Sequence, residues 1–352
     1  MISNGCPPQV SAALLGPDFI DRTSRVICNA NFTRKLDYAI ALPVRNEAQW
    51  LPRALDSLIT TMRASTAIGA VVCVVNDTQD NSASVVRSSL ATAGVNFATL
   101  ELSLAPDIRN APHARRLALD VATRFSPDGV LLTTDADSYV GSNWLPSRLD
   151  RIAQGFDLVC EDVQLDDGEL SLLPPLVRAV GDAERCYFEI SERLWQIWTC
   201  GMAGSFAHRA SGASLAVRSD AYRKVGGLPT PTAGEDSALC KAILAAGLNV
   251  TTSNEGGTRT SARLDGRAKG GCGDCLAVRS WHPNPLCDAN LVPVSVLRKL
   301  ATEACMSGES RVPCDQSENK GAISSRPMTY TEVLAELERA RAVENELGAV
   351  DA

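Results

Sequence analysis

The sequence predicts an α/β protein, a mostly parallel sheet covered by helices on both faces. Three observations predict it. Apolar runs of strand length alternate with amphipathic helical stretches. The connections between them are short. The runs are apolar nearly throughout, not only at every second residue. A strand buried on both faces reads that way, and parallel strands need a crossover helix between them.

In order, DYAIALPV (37–44) is a short apolar strand, and EAQWLPRALDSLITTM (47–62) carries apolar residues at helical spacing. AVVCVVND (70–77) is a second strand ending on an acid. SASVVRSSLATAG (82–94) is a helix closed by Gly94. FATLELS (97–103) is a third strand, ARRLALDVATRF (114–125) a helix, and GVLLTTD (129–135) a fourth strand. From residue 141 the alternation loosens. LVRAVGDAERCYFEISERLWQIW (176–198) is a long helix containing Trp195 and Trp198. SGASLAVRSDAYRKVGGLP (211–229) reads as strand, helix and Gly-Gly stop. GEDSALCKAILAAGLNV (234–250) is a helix led by Glu235 and Asp236. Residues 254–285 read as loop, and MTYTEVLAELERARAVENEL (328–347) as a charged amphipathic helix. The expected organisation is an arm over 1–34, a main domain over 35–262 (35–140, then 141–262), and a loop and helical extension over 263–352.

The 352 residues suffice for one large or two modest domains. The net charge of −7 and pI near 5.2 argue against a nucleic-acid backbone as partner. The apolar runs are far shorter than the roughly 20 residues of a membrane span, and no secretory signal is visible at the N-terminus. Twelve cysteines scattered through strands and helices suit a reduced, cytoplasmic protein. Cys272 and Cys275 have zinc-like spacing but no second C-x-x-C or His pair, so ordinary thiols are the favoured reading.

Ligands of open α/β sheets bind at the carboxyl ends of strands, and three strand ends here carry acids: PVRNE, NDTQDNS and DADS. Asp135 and Asp137 flank one small residue, so both carboxylates can approach one divalent cation; hard oxygen ligands suit Mg²⁺ or Mn²⁺. The bland alternative is a solvated turn. Asp77 and Asp80 can accept hydrogen bonds from a nucleobase or ribose, or can serve as cap and turn residues. Glu235 and Asp236 suit a helix N-terminus on dipole grounds alone.

Taken together and in order, these segments resemble the family 2 glycosyltransferases, whose nucleotide-sugar-binding α/β fold is called GT-A. ALPVRNEAQWLPRALDSL resembles the family's first strand, turn and helix, and VVCVVNDTQDNSASVV its second strand with acids for the nucleotide. APHARRLALDVA resembles its A-R-N helix start, with Arg116 where Asn is usual. TTDADSYVGSNWL resembles its D-x-D segment, and SGASLAVRSDAYRKVGGLPTPTAGEDSALCKAI its acceptor side ending in an E-D pair.

The resemblance implies that Pro43, Arg45 and Glu47 line the nucleotide pocket, with Glu47 toward the ribose. Asp77 then faces a uracil-type base with Asp80 nearby, and Arg115 approaches base or diphosphate. Asp135 contacts ribose or metal, and Asp137 binds the metal. Asp236 is the catalytic base, supported by Glu235. The implied reaction transfers one sugar from a nucleotide sugar, commonly a UDP-sugar, to an acceptor hydroxyl with inversion.

Arg263 and Arg267, with Arg259 and Lys269, lie in a Gly-rich loop suited to a diphosphate or simply to solvent. The extension past 263 is read as a cover for the acceptor site or a homodimer contact. Trp195 and Trp198 could stack on a sugar, with core packing the default, and His208 reads as structural. No Q-x-x-R-W signature of polysaccharide synthases is present. No G-x-G-x-x-G follows the first strand, against a dehydrogenase, and no Gly-rich loop follows it, against a sugar-phosphate nucleotidyltransferase. A retaining GT-A enzyme and a nonenzymatic nucleotide-sugar-binding protein are the alternatives.

Overall fold

The computed structural model describes residues 14–32, 35–266, 270–307 and 326–350, the side chains of 348–350 excepted. The chain divides into two compact units. The first comprises Met1–Asp166, Arg209–Ser261 and Arg267–Gly271. The second comprises Asp167–His208, Ala262–Gly266 and Cys272–Ala352.

All described strands belong to the first unit: β1 (Thr23–Ala30), β2 (Tyr38–Val44), β3 (Gly69–Asn76), β4 (Phe97–Leu104), β5 (Val130–Thr133), β6 (Ser138–Tyr139), β7 (Leu158–Cys160), β8 (Gln164–Leu165), β9 (Leu215–Arg218), β10 (Val250–Thr252) and β11 (Arg259–Thr260). Eight of them form one sheet in the order β1-β4-β3-β2-β5-β9-β7-β10; β6, β11 and β8 form a second, small sheet. The centre, β4-β3-β2-β5, is parallel. β9 runs antiparallel to both β5 and β7.

Side chains of the parallel strands alternate between two cores. Ala39, Ala41, Val72, Val74, Ala98 and Leu131 face one side, against helix Ala111–Phe125 and helix Glu235–Ala245. Tyr38, Ile40, Leu42, Val71, Cys73 and Leu132 face the other, against helices Leu51–Arg63, Ser82–Ala93 and Trp144–Ala153. This is the period-2 strand pattern with helices on both faces that the apolar runs predict.

Local chemistry sets the ends. Pro52 opens the Leu51–Arg63 helix, where a missing N–H costs nothing. Asn110 caps Ala111–Phe125 through His113 N at 3.0 Å, and Gly94 closes Ser82–Ala93 with φ 67°. Pro43 sits in a central strand, which a proline normally avoids. β5 matches β2 only as far as Ala41, so at Pro43 no ladder donor is required on that side.

Two expectations are corrected. Residues 1–34 are not simply an arm: Thr23–Ala30 is a strand, antiparallel to β4, with a register shift between Ser24 and Ile27 at Arg25, whose φ is 54°. The stretch 254–285 is not all loop, because Arg259–Thr260 is β11 and Cys272–Trp281 is a helix. Cys272 and Cys275 lie on that helix's first turn, both exposed; Cys6 and Cys314 lie outside the described residues.

The second unit is helical. Pro175–Trp198, Val294–Ser307 and Tyr330–Val350 enclose a core that includes Val180, Tyr187, Leu194, Trp195, Leu297, Val333 and Leu337. Tyr187 OH donates to Val292 O at 2.6 Å, and Arg279 grips the buried Glu184 through both oxygens, at 2.5 and 3.1 Å. Segment 167–208 thus packs with the C-terminal helices, whereas the sequence reading placed it in the second half of the main domain. Trp195 is a core residue whose Nε1 donates to Gly204 O. Burial pushes His208 down to about 4, so at neutral pH it is uncharged.

Candidate active site

Because β3, β2 and β5 are adjacent and parallel, their carboxyl ends emerge side by side. That single fact brings together Arg45–Glu47, Asn76–Asp80 and Thr133–Asp137. The loops after β2 and β3 are zipped together. Asn46, at φ 54°, accepts Gln79 N at 2.7 Å through Oδ1 and donates N–H to Thr78 Oγ1. Glu47 N donates to Ser82 Oγ at 2.8 Å, and Ala48 N to Asp80 Oδ2 at 3.0 Å. Asp80 also accepts Ser82 N and Ser82 Oγ. These bonds make Asp80 a brace between the two loops, the turn role that its sequence context allows.

Asp77, at φ 50°, is held from two sides. Arg109 Nε is 3.2 Å from Oδ1, and Leu104 N donates to Oδ2 at 3.2 Å. Beside it, Asn76 Oδ1 is buried and has no hydrogen-bond partner among the described residues, an acceptor open to a further group. Arg45 is half-buried, and among the described residues its guanidinium has no carboxylate partner. Glu47 is buried, 7% exposed. Pro43 lies in β2 with its ring half-buried.

Arg115 is the centre of the site. Its side chain is only 7% exposed. Nε donates to Glu235 Oε1 at 3.0 Å and Nη2 to Asp135 Oδ1 at 2.6 Å. Nη1 donates to Gly212 O at 2.7 Å and to Thr133 Oγ1 at 3.1 Å. Four of the five N–H groups of a guanidinium are thereby committed to protein, where the sequence reading placed Arg115 at base or diphosphate; one N–H remains. Burial opposes its charge, but Asp135 and Glu235 outweigh burial and hold it protonated above its ordinary range.

Asp236 follows Gly234, which turns at φ 79° into the helix. Its Oδ2 accepts Gly212 N at 2.9 Å and its Oδ1 accepts Ser237 N at 2.7 Å. Burial raises its pKa above the ordinary carboxylate value, and the neighbouring charge of Glu235 adds to that. The two N–H bonds and the Arg115 charge oppose it. Asp135 and Asp137 close the D-x-D turn, where Ser138 N donates to Asp135 O and Ser261 N to Asp137 O.

Arg116 anchors a loop, donating to Leu228 O, Gly226 O and Asp18. Arg263 belongs to the second unit. Arg267 and Lys269 lie outside the described residues. Sequence reasoning missed Arg109, Thr133 and Gly212. It also missed a buried ion pair, Arg148 Nη2 to Glu161 Oε2 at 2.5 Å, which takes in Ser214, Trp144 and Thr258. No spacing signal marks them, since each gains its role from a partner many residues away.

In a parallel α/β sheet whose adjacent strand ends carry carboxylates, here near the acid pair Glu235 and Asp236, ligands bind at those strand ends. Residues 39–211 match the model of the family described as Glycosyl transferase family 2. The matched span includes both zipped loops, Arg115 and the D-x-D turn. It ends just before Gly212 and does not reach Glu235 and Asp236.

Among solved structures, the chain is similar to Staphylococcus aureus TarS 1–349 with UDP-GlcNAc, at 14% identity and TM-score 0.47, covering 67% of this chain and 61% of that one. It is also similar to the mannosyltransferase PcManGT of Pyrobaculum calidifontis with GDP-Man and Mn²⁺, at 16% identity and TM-score 0.46, covering 90% and 82%. A third is glucosyl-3-phosphoglycerate synthase of Mycobacterium tuberculosis with Mn²⁺, UDP and glucosyl-3-phosphoglycerate, at 16% identity and TM-score 0.42, covering 69% and 78%. The chain thus spans less than two thirds of the TarS fragment. No curated protein matches it. No helix among the described residues is long and apolar enough to cross a membrane.

Proposed function

We propose that the chain moves a single sugar from a nucleoside-diphosphate sugar, a UDP-sugar, to an acceptor hydroxyl with inversion at the anomeric carbon, and that Asp236 is the general base. The observation that carries this reading is the environment of Asp236. It is a half-buried carboxylate of raised pKa, aimed by two backbone N–H groups, and joined to the D-x-D strand end through Gly212 and Arg115. A raised pKa brings a carboxylate's basicity closer to what deprotonating a hydroxyl requires.

The donor side is assigned to the loops after β2 and β3. Asp77, fixed by Arg109 and Leu104 N, presents its carboxylate toward the base, with the unpaired Asn76 Oδ1 beside it. Arg45, without a carboxylate partner among the described residues, supplies charge to the diphosphate. Pro43 and Glu47 line the same pocket, with Asp80 as the brace. Arg263 and Arg267 remain expected diphosphate contacts.

The D-x-D donor set fits Mg²⁺ or Mn²⁺. Asp135 and Asp137 offer hard carboxylate oxygens on one turn, and Arg115 holds only Oδ1 of Asp135, leaving Oδ2. Among the described residues no group of three or more His, Cys, Asp or Glu is placed to hold a metal ion. When bound, the ion offsets charge on the departing diphosphate. The protein's own contribution is to orient the acceptor hydroxyl against Asp236 Oδ, accept its proton as the new glycosidic C–O bond forms, and exclude water around that carboxylate.

The test is a donor panel of UDP-glucose, UDP-GlcNAc, GDP-mannose and dTDP-glucose with Mn²⁺, read as donor turnover, followed by assignment of the product anomer by NMR. Turnover of a UDP-sugar to the inverted anomer, lost in Asp236→Asn, supports the reading. Retention, or turnover unaffected by Asp236→Asn, overturns it.

A further inference from the structure

Asp135 and Asp236 belong to segments remote in sequence, and Arg115 bonds Asp135 on one side and Glu235 and the Gly212 peptide on the other. Its guanidinium lies against Gly212. A Cβ built on Gly212 would stand 2.4 Å from Arg115 Cζ, 2.5 Å from Nη2 and 2.7 Å from Nε. Gly212 is not among the residues with positive φ, so backbone conformation does not demand glycine there; the flat cation does. The Gly212 peptide then works in both directions. Its C=O accepts from Arg115 Nη1 at 2.7 Å, and its N–H donates to Asp236 Oδ2 at 2.9 Å.

We propose that Arg115, seated on Gly212, is a positioning residue that sets the orientation of the Asp236 carboxylate relative to Asp135 through the Gly212 peptide. The assignment rests on the glycosyl-transfer reading of the site. Arg115 reaches Asp236 only through that peptide and through Glu235, the residue before it; it makes no direct hydrogen bond to the base. A guanidinium is suited to the task because its planar fork can hold two carboxylates and a carbonyl at fixed angles while one face rests on a bare Cα. An ammonium offers no such plane.

A double-mutant cycle tests this, because the two residues approach one contact from opposite sides. Wild type, Arg115→Ala, Gly212→Ala and the double variant are assayed for kcat and donor KM, with retained fold checked by thermal melting and by nucleoside-diphosphate binding. Misplacing a reacting group by about an ångström costs on the order of a hundredfold in rate. Each single variant is therefore expected to lose about a hundredfold in kcat with donor KM nearly unchanged. The double variant is expected to lose no more than Arg115→Ala alone, since the added methyl then meets empty space. Wild-type kcat in Gly212→Ala, losses that multiply in the double variant, or a raised KM with kcat intact would each overturn the proposal. The last would make Arg115 a donor-binding group. If wild type turns over no nucleotide sugar, the glycosyl-transfer reading itself fails; if wild type is active and the losses multiply, only the role of Arg115 fails.

Discussion

At Asp236, burial and Glu235 push the pKa up while Ser237 N–H, Arg115 and Gly212 N–H pull it down, and burial wins. A general base must be ionised, so protonation at low pH silences it. Raising its pKa moves that silencing to higher pH. The acid limb of kcat/KM is therefore expected at a pH above the ordinary aspartate value, and Asp236→Asn should lower kcat by about 10²–10⁴-fold and remove the limb. On the donor side, Asp137→Ala should abolish the Mn²⁺-dependent part of the thermal shift given by UDP while leaving the metal-free melting temperature nearly unchanged, because the Asp137 side chain is only partly buried. The acids themselves were readable from the sequence, since three of the apolar runs are followed by them. Their division of labour was not. Asp80 reads like Asp77 in NDTQDNS, and only its bonds to Ala48 and Ser82 mark it as a brace. Arg115 was legible as a cation near the site but not as a hub, because its partners sit at 133, 135, 212 and 235.

Among the elements, the parallel centre of the sheet was legible because burial on both faces removes polar residues from β2 and β3. Pairing between distant elements was not. Segment 167–208 packs with helices more than ninety residues further on, and nothing in its own periodicity names that partner. Tight element ends give a direct check. Gly129, just before β5, would place a Cβ 2.1 Å from the backbone oxygen of Asp37, which itself accepts Val130 N. Backbone cannot yield as a side-chain tip can, so Gly129→Ala is expected to lower stability by about 1–3 kcal/mol, measured by urea unfolding. On the Leu51–Arg63 helix, Leu55 is fully buried against the sheet. Leu55→Ala should cost about 2–5 kcal/mol in the same experiment.

Across the whole molecule, one buried ion pair gathers segments that are remote in sequence. Glu161 takes Arg148, Ser214 and Thr258 together, and Ser214 in turn receives Trp144 Nε1. Removing one partner strands a buried charge, so Glu161→Ala is expected to cost about 3–5 kcal/mol, whereas Arg148→Met with Glu161→Leu should recover most of the loss. The first strand carries a different consequence. β4 is eight residues long and largely apolar, with six of its residues buried, and β1 covers its outer side. β1 is itself a poor template for another chain: it is bulged at Arg25 and bears exposed charge there. The N-terminal segment therefore acts as a selvedge, a finished border that keeps the sheet from unravelling into its neighbours. A chain beginning after Ala30 would leave β4 with a bare, adhesive flank, and it should self-associate as its concentration rises where the intact chain does not.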